Sequence, residues 1–159
     1  FVFSSKFDSG NLAHVELVPP KTDLPGPRPD KHEPPDYEFN IWTRPDCMGS
    51  EFENGNRTWF FFGIRATEKE IAARKSRPSK KGTFKYTPAS TLVPISEPSS
   101  FIKFNLVNMN KQAKLYAQGM APVVRVLPGK PTWERIRDRP STMHINGNFA
   151  ISFKYRMID

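Results

Sequence analysis

From residue 149 to 157 the chain alternates. Phe149, Ile151, Phe153, Tyr155 and Met157 are large and apolar, with Ala150, Ser152, Lys154 and Arg156 between them. A period of two is the signature of a strand with one buried face. Residues 37–43 keep the same rhythm, with Tyr37, Phe39, Ile41 and Thr43 on one phase and Glu38, Asn40 and Trp42 on the other. Ala13, Val15 and Leu17 alternate with His14 and Glu16, and residues 101–107 and 123–127 read as further strands. Residues 59–64 are apolar on both phases, which predicts a central strand covered on each side. Turn signals at Asp8-Ser9-Gly10-Asn11, Asn54-Gly55-Asn56 and Asn146-Gly147-Asn148 punctuate these segments. One short helix is expected from Lys111 to Gln118, with Asn110 as N-cap and Gly119 as its stop. A Thr67-x-x-Glu70 capping box marks a further helical turn, through Arg74, at the mouth of a polar loop. With no βαβ rhythm and no repeat, the pattern predicts a mainly β fold: an antiparallel β-sandwich with one short helix and two long polar loops. Its expected core is Phe39, Ile41, Phe61, Phe104, Leu106, Phe149, Ile151 and Phe153.

Composition locates the loops. Seven of the 16 prolines lie between Pro19 and Pro35 and four more between Glu68 and Ser100, so the rest of the 159 residues has ordinary globular content. We read residues 1–159 as a single domain carrying a proline-rich connection at 19–36 and a basic, mobile insertion at 68–100. The formal net charge is +8, and residues 68–86 hold seven Lys/Arg against two Glu, so most of it belongs to that insertion. The run Arg74-Lys75-Ser76-Arg77-Pro78-Ser79-Lys80-Lys81 resembles a nuclear-import or nucleic-acid patch, although a solvated basic loop has the same composition. Mean hydropathy is −0.58, and no apolar run approaches the ~18 residues of a membrane span. The chain opens inside an apolar run without an initiator Met and carries no secretory leader, which reads as a piece of a larger protein. A single cysteine, Cys47, leaves no internal disulfide and fits a reducing compartment. The triplet Asn56-Arg57-Thr58 is a glycosylation signal only in a secreted chain.

Catalytic signatures are missing. The sequence has no glycine-rich phosphate loop, no G-x-S-x-G and no H-E-x-x-H. Of its three histidines, His14 shares a strand face with Glu16 but lacks further ligands, since catalytic zinc takes about three protein groups. His32 lies in the proline-rich connection and His144 beside a turn. Cys47 has no neighbouring base to activate it. The one positive feature is Trp133-Glu134-Arg135-Ile136-Arg137-Asp138-Arg139. On a strand, Arg135, Arg137 and Arg139 would share a face at ~6.6–7 Å intervals. Such a row suits a carboxylate-rich or phosphate-rich partner, or pairs with carboxylates of a neighbouring strand. The aromatics fall mostly on inward phases and read as core before base-stacking platforms.

Several stretches together resemble the N-terminal domain of the cytosolic carboxypeptidases. They are FDSGNLAHVE at 7–16, YEFNIWTRPDC at 37–47, ENGNRTWFFFGIRA at 53–66, FNLVNMNKQAKLYAQGMAPVVR at 104–125 and WERIRDRP at 133–140, in the family's order. The 33-residue stretch at 68–100 departs from the short connection expected in the family. The resemblance implies a β-sandwich without catalytic residues, packed against a following carboxypeptidase domain that holds zinc through two His and a Glu. That domain would also carry the catalytic Glu and the substrate-binding Arg, none of which can be placed on this sequence. It further implies an enzyme of the cytoplasm that removes glutamates, branch-point ones included, from polyglutamylated tubulin and other acidic protein tails. The accessory domain would then assist folding or substrate access, with Arg135, Arg137 and Arg139 as its candidate acidic-partner surface and nuclear entry through the basic loop. The competing expectation is an independent β-sandwich module for a polyanion such as nucleic acid.

Overall fold

The computed structural model describes residues 1–19, 34–76, 99–130, 132–145 and 147–158. Most of the proline-rich connection, with His32, and the insertion from residue 77 to 98 lie outside the described residues. Nine strands and two helices are present among those described: β1 (Val2–Ser4), β2 (Leu12–Leu17), β3 (Tyr37–Thr43), β4 (Gly63–Arg65), α1 (Glu68–Ser76), β5 (Ser99–Leu106), α2 (Ala113–Ala117), β6 (Val123–Val124), β7 (Glu134–Arg135), β8 (Ser141–Ile145) and β9 (Asn148–Ile158).

The alternation seen in the sequence builds one five-stranded sheet in the order β2-β3-β5-β9-β8. β9 pairs antiparallel with β5, placing Phe153 beside Phe104 and Ile151 beside Leu106. β3 adds Phe39 beside Phe104 and Ile41 beside Leu106, so one face of the sheet carries a continuous apolar row. Ile41, Ile102, Leu106 and Ile151 are completely buried in it. The mainly β expectation therefore holds. The sheet is mixed, however, because β3 and β5 run parallel. A parallel pair needs a long crossover, and the chain between them supplies it.

That crossover includes residues 59–62, which do not form the central strand expected at 59–64. Only Gly63–Arg65 is a strand, paired with β1 in a two-stranded ribbon. Residues 59–61 instead hydrogen-bond to a side chain: Asn11 Nδ2 donates to the Trp59 carbonyl at 3.0 Å, and Asn11 Oδ1 accepts from the Phe61 N–H at 2.9 Å. The Asn11 N–H donates to the Phe61 carbonyl at 3.1 Å. Asn11 thus does for this segment what a neighbouring strand would have done. Phe60 stacks on Phe153, and Phe62 lies against Phe104 and Phe3. The other phase is covered as well, with Phe61 against Phe7 and Trp133. The two-sided apolar pattern is real, but one side packs on the sheet and the other on a separate outer layer. Phe61 is consequently half-buried and outside the main core, whereas the other seven expected core residues are buried.

On the opposite face of the sheet, polar groups satisfy one another. Asn105 Nδ2 donates to Glu38 Oε1 and Asn40 Oδ1, Ser152 Oγ donates to Asn105 Oδ1 at 2.9 Å, and Lys103 Nζ meets Glu38 at 2.8 Å. The β2 alternation is interrupted by a bulge between Leu12 and His14, so Leu12 and Val15 both reach the core while Ala13 and Leu17 are exposed.

The two helices depart from expectation in length. α1 begins as the capping box requires, with Thr67 Oγ1 accepting from the Glu70 N–H, and runs to Ser76. Its Glu70 accepts a hydrogen bond from Tyr37 Oη on β3. α2 is shorter than the expected 111–118, and Asn110 is not its cap. Asn110 Oδ1 accepts from the Arg57 N–H at 2.8 Å, leaving Gln112 at the N-cap, whose side chain donates to the Thr58 carbonyl at 2.8 Å rather than capping the helix. Gly119 does end the helix, at φ 99°. The strand expected at 123–127 contracts to Val123–Val124.

Candidate interaction surface

The arginine row forms only in part. The strand expected through residue 139 stops after Glu134–Arg135. Arg135 lies directly across from Val123 on β6, and residues directly opposite in an antiparallel pair share a face. Ile136 turns inward, its N–H donating to the Pro122 carbonyl at 2.9 Å, with exposed Arg135 and Arg137 on either side. Arg139 lies beyond the strand, and its Nη2 donates to the Ala117 carbonyl at 3.1 Å. This contact places a cation at the C-terminal end of α2, where the helix carbonyls favour one.

The structure adds a feature that the sequence reading did not contain. Beside β6 and β7 lies a groove of about 370 Å³, walled by Trp59, Met120, Val123 and Trp133 and floored by Phe61 and Tyr116. Trp59, Met120, Trp133 and Val123 are 40%, 43%, 48% and 53% exposed. Arg125 stands over the Trp133 ring, its Cζ 5.0 Å from the centroid. Trp59 Nε1 donates to Asp46 Oδ1 at 3.0 Å, which fixes the indole at the groove edge. Tyr116 is buried at the bottom, and burial raises its pKa above the ordinary tyrosine range. Tyr155 is raised too, first by burial and then by the negative charge of Glu134, partly offset by Lys130. The signal for this groove was present in Met120-Ala121-Pro122-Val123 and in the isolated Trp133. Neither falls on the inward phase of a long strand, so period-two reasoning had no place for them.

The remaining candidates are dispersed. His14 Nε2 lies 3.0 Å from Glu16 Oε1 on an exposed face, and the imidazole leans on Trp42. His144 is exposed beside Phe149. Cys47 is exposed in a loop at φ 55°. Among the described residues no three His, Cys, Asp or Glu side chains come together as a metal-binding set, so the groups present do not fit a catalytic zinc. No helix of the described residues is long and apolar enough to cross a membrane.

No protein-family model matches the chain. Curated relatives match nearly all of it. A cytosolic carboxypeptidase-like protein 5 from Ailuropoda melanoleuca is 46% identical over 166 residues, covering 99% of this chain and 16% of the relative. The Homo sapiens protein of the same name is 44% identical with the same coverage. A cytosolic carboxypeptidase 6 from Mus musculus is 28% identical over 84% of this chain and 16% of its own length. The chain thus spans about a sixth of the curated relatives it matches. With end-to-end similarity of this kind to six proteins of one name, the chain belongs to the cytosolic carboxypeptidase family.

Proposed function

We propose that this chain is the non-catalytic, N-terminal accessory domain of a zinc-dependent cytosolic carboxypeptidase. In this reading the protein removes glutamates, including branch-point glutamates, from polyglutamylated tubulin and other acidic protein tails. The single observation that carries the reading is the disparity in coverage: 99% of this chain aligns with only 16% of a carboxypeptidase-like protein. That leaves five-sixths of such a protein to hold the hydrolytic machinery. Zinc and its ligands belong to that remainder, as do the acid–base Glu and the group that binds the terminal carboxylate of the substrate. The part played by residues 1–159 is to support folding of the catalytic domain and to shape the approach of substrate. Arg135 and Arg137 support the second role, because they are exposed and cationic, and a glutamate-rich chain is drawn to such a surface. The relatives' names suggest a cytosolic site of action.

The test is made on the full-length protein. It should contain about one equivalent of zinc, as a catalytic site of this type requires, and should release free glutamate from polyglutamylated tubulin. Residues 1–159 on their own should release none. A full-length protein without zinc-dependent glutamate release would overturn the reading. The alternative, an independent polyanion-binding module, draws on the basic balance of the chain. It requires residues 1–159 on their own to bind nucleic acid in a salt-sensitive manner and to lose affinity when Arg135 and Arg137 are changed to Gln.

A further inference from the structure

The groove beside β6 and β7 combines apolar walls with polar groups that no other part of the described chain engages. Trp59, Met120, Val123 and Trp133 wall it while remaining 40–53% exposed. Exposed apolar surface gathered in one depression marks an interaction site. Two of the aromatic residues that line it carry an unused hydrogen-bond donor. Tyr116, at the floor, is 3% exposed, yet no group among the described residues accepts from its hydroxyl. Trp133 Nε1 is likewise without an acceptor among them, the ring contacts being with Phe61 and Arg125. Trp59 Nε1, by contrast, is taken by Asp46. The two indoles therefore carry charges of opposite sign, Asp46 beside Trp59 and Arg125 over Trp133, and charge alone selects neither an acidic nor a basic occupant.

An occupant must present apolar groups together with hydrogen-bond acceptors. Indole N–H can only donate, and a phenol without a partner can donate as well, so the complementary group is a carbonyl oxygen. An α-helix keeps its carbonyls for its own N–H groups. A polyproline II segment has no internal hydrogen bonds, and so offers proline rings and open carbonyls along the same length. We propose that the groove is a docking site for a proline-rich segment of a second protein, bound as a polyproline II helix. Its rings lie against Trp59, Met120 and Trp133, and its carbonyls accept from Trp133 Nε1 and Tyr116 Oη. Aromatic-lined grooves hold such segments generally, since the ligand is ordered before it binds. The chain's own prolines at 19–36 set out from the wrong end of the sheet. β2 starts at Leu12, next to the Asn11 side chain that holds Trp59, and has carried the chain ~17 Å away by Leu17. The proposal is independent of the hydrolytic reading above.

The experiment titrates the full-length protein with decaproline by isothermal calorimetry, in parallel with decaglutamate and a glycine–serine decapeptide. Decaproline should bind saturably, and the other two peptides should show no saturable heat over the same range. Trp133→Phe and Tyr116→Phe each keep an aromatic ring and remove one donor. Each should weaken decaproline binding about fivefold, the equivalent of one hydrogen bond. Trp42→Phe, outside the groove, should leave the affinity unchanged, and thermal melts at neutral pH establish that every variant is folded. Absence of decaproline binding would overturn the proposal, and is the result expected if another part of the full-length chain or a second copy already fills the groove. Equal binding of decaglutamate would overturn it in favour of an acidic partner. Equal binding of the glycine–serine peptide, or unchanged affinity in either donor variant, would overturn it as well.

Discussion

Phe153 is packed between Phe60 and Phe104, and truncating it leaves a cavity that the flanking rings cannot close. Phe153→Ala should lower unfolding free energy by ~3–5 kcal/mol, whereas Lys154→Gln, on the opposite phase, should change it by no more than ~0.5 kcal/mol. Chemical denaturation of both variants checks the pair. The asparagines matter in a different way. Asn108 Oδ1 accepts from the Thr43 N–H at 2.9 Å, and its Nδ2 donates to the Thr43 carbonyl, also at 2.9 Å. Thr43 is buried, so Asn108→Ala strands two backbone groups and should cost ~1–3 kcal/mol by the same measurement. Tyr116 sets a pH limit. Its folded pKa is raised by burial, so the unfolded chain loses this proton first. Stability should be level below about pH 10, the ordinary tyrosine value, and fall as pH rises beyond it. Tyr116→Phe should lessen that alkaline decline in thermal melts, leaving the share that Tyr155, also raised, contributes. The inward phenylalanines were legible because burial imposes a period of two. The tasks of Asn11 and Asn108 were not, because their partners lie 48–65 residues away in sequence.

A strand's alternation reports which side chains are buried, not which way its neighbour runs. β3 and β5 show the same pattern whether parallel or antiparallel, so their parallel pairing emerged only in the fold. Residues 59–64 illustrate the complementary limit. Their two apolar phases were read correctly, but covering both faces does not require two strand neighbours when an asparagine can supply the hydrogen bonds. Asn11→Ala should therefore raise the exchange rate of the Phe61 amide at least tenfold, while amides of β5 and β9 stay protected; measured hydrogen exchange decides this. The adjoining turn is equally constrained. A Cβ at Gly10 would meet the Ser5 carbonyl oxygen at 2.2 Å. Gly10→Ala must therefore displace backbone, and thermal unfolding should shift down by several degrees for a cost of ~1–3 kcal/mol.

For the molecule as a whole, family membership was legible from motifs spread over the chain, while the apolar groove beside β6 and β7 was not. Trp59 and Trp133 came from segments that read as strands, and only the tertiary arrangement shows that each is left partly open to solvent on the same groove. The arginines can be tested at this scale. On the function proposed above, Arg135→Gln with Arg137→Gln in the full-length protein should lower kcat/KM on polyglutamylated tubulin several-fold at low salt and much less at high salt, because the attraction is screened over ~8 Å at physiological ionic strength. An unchanged kcat/KM at low salt would remove both residues from substrate capture. Arg139 is left intact in that variant, since its bond to the Ala117 carbonyl ties it to α2. The placing of the indoles has an optical consequence. The chain holds three tryptophans, and two of them line the groove while Trp42 sits on the far side of the sheet beside His14. Most of the intrinsic emission that responds to solvent thus originates at one spot. Whatever closes over that spot will shift the emission to shorter wavelength and shield it from acrylamide, so the protein carries its own fluorescent gauge of whether the groove is covered.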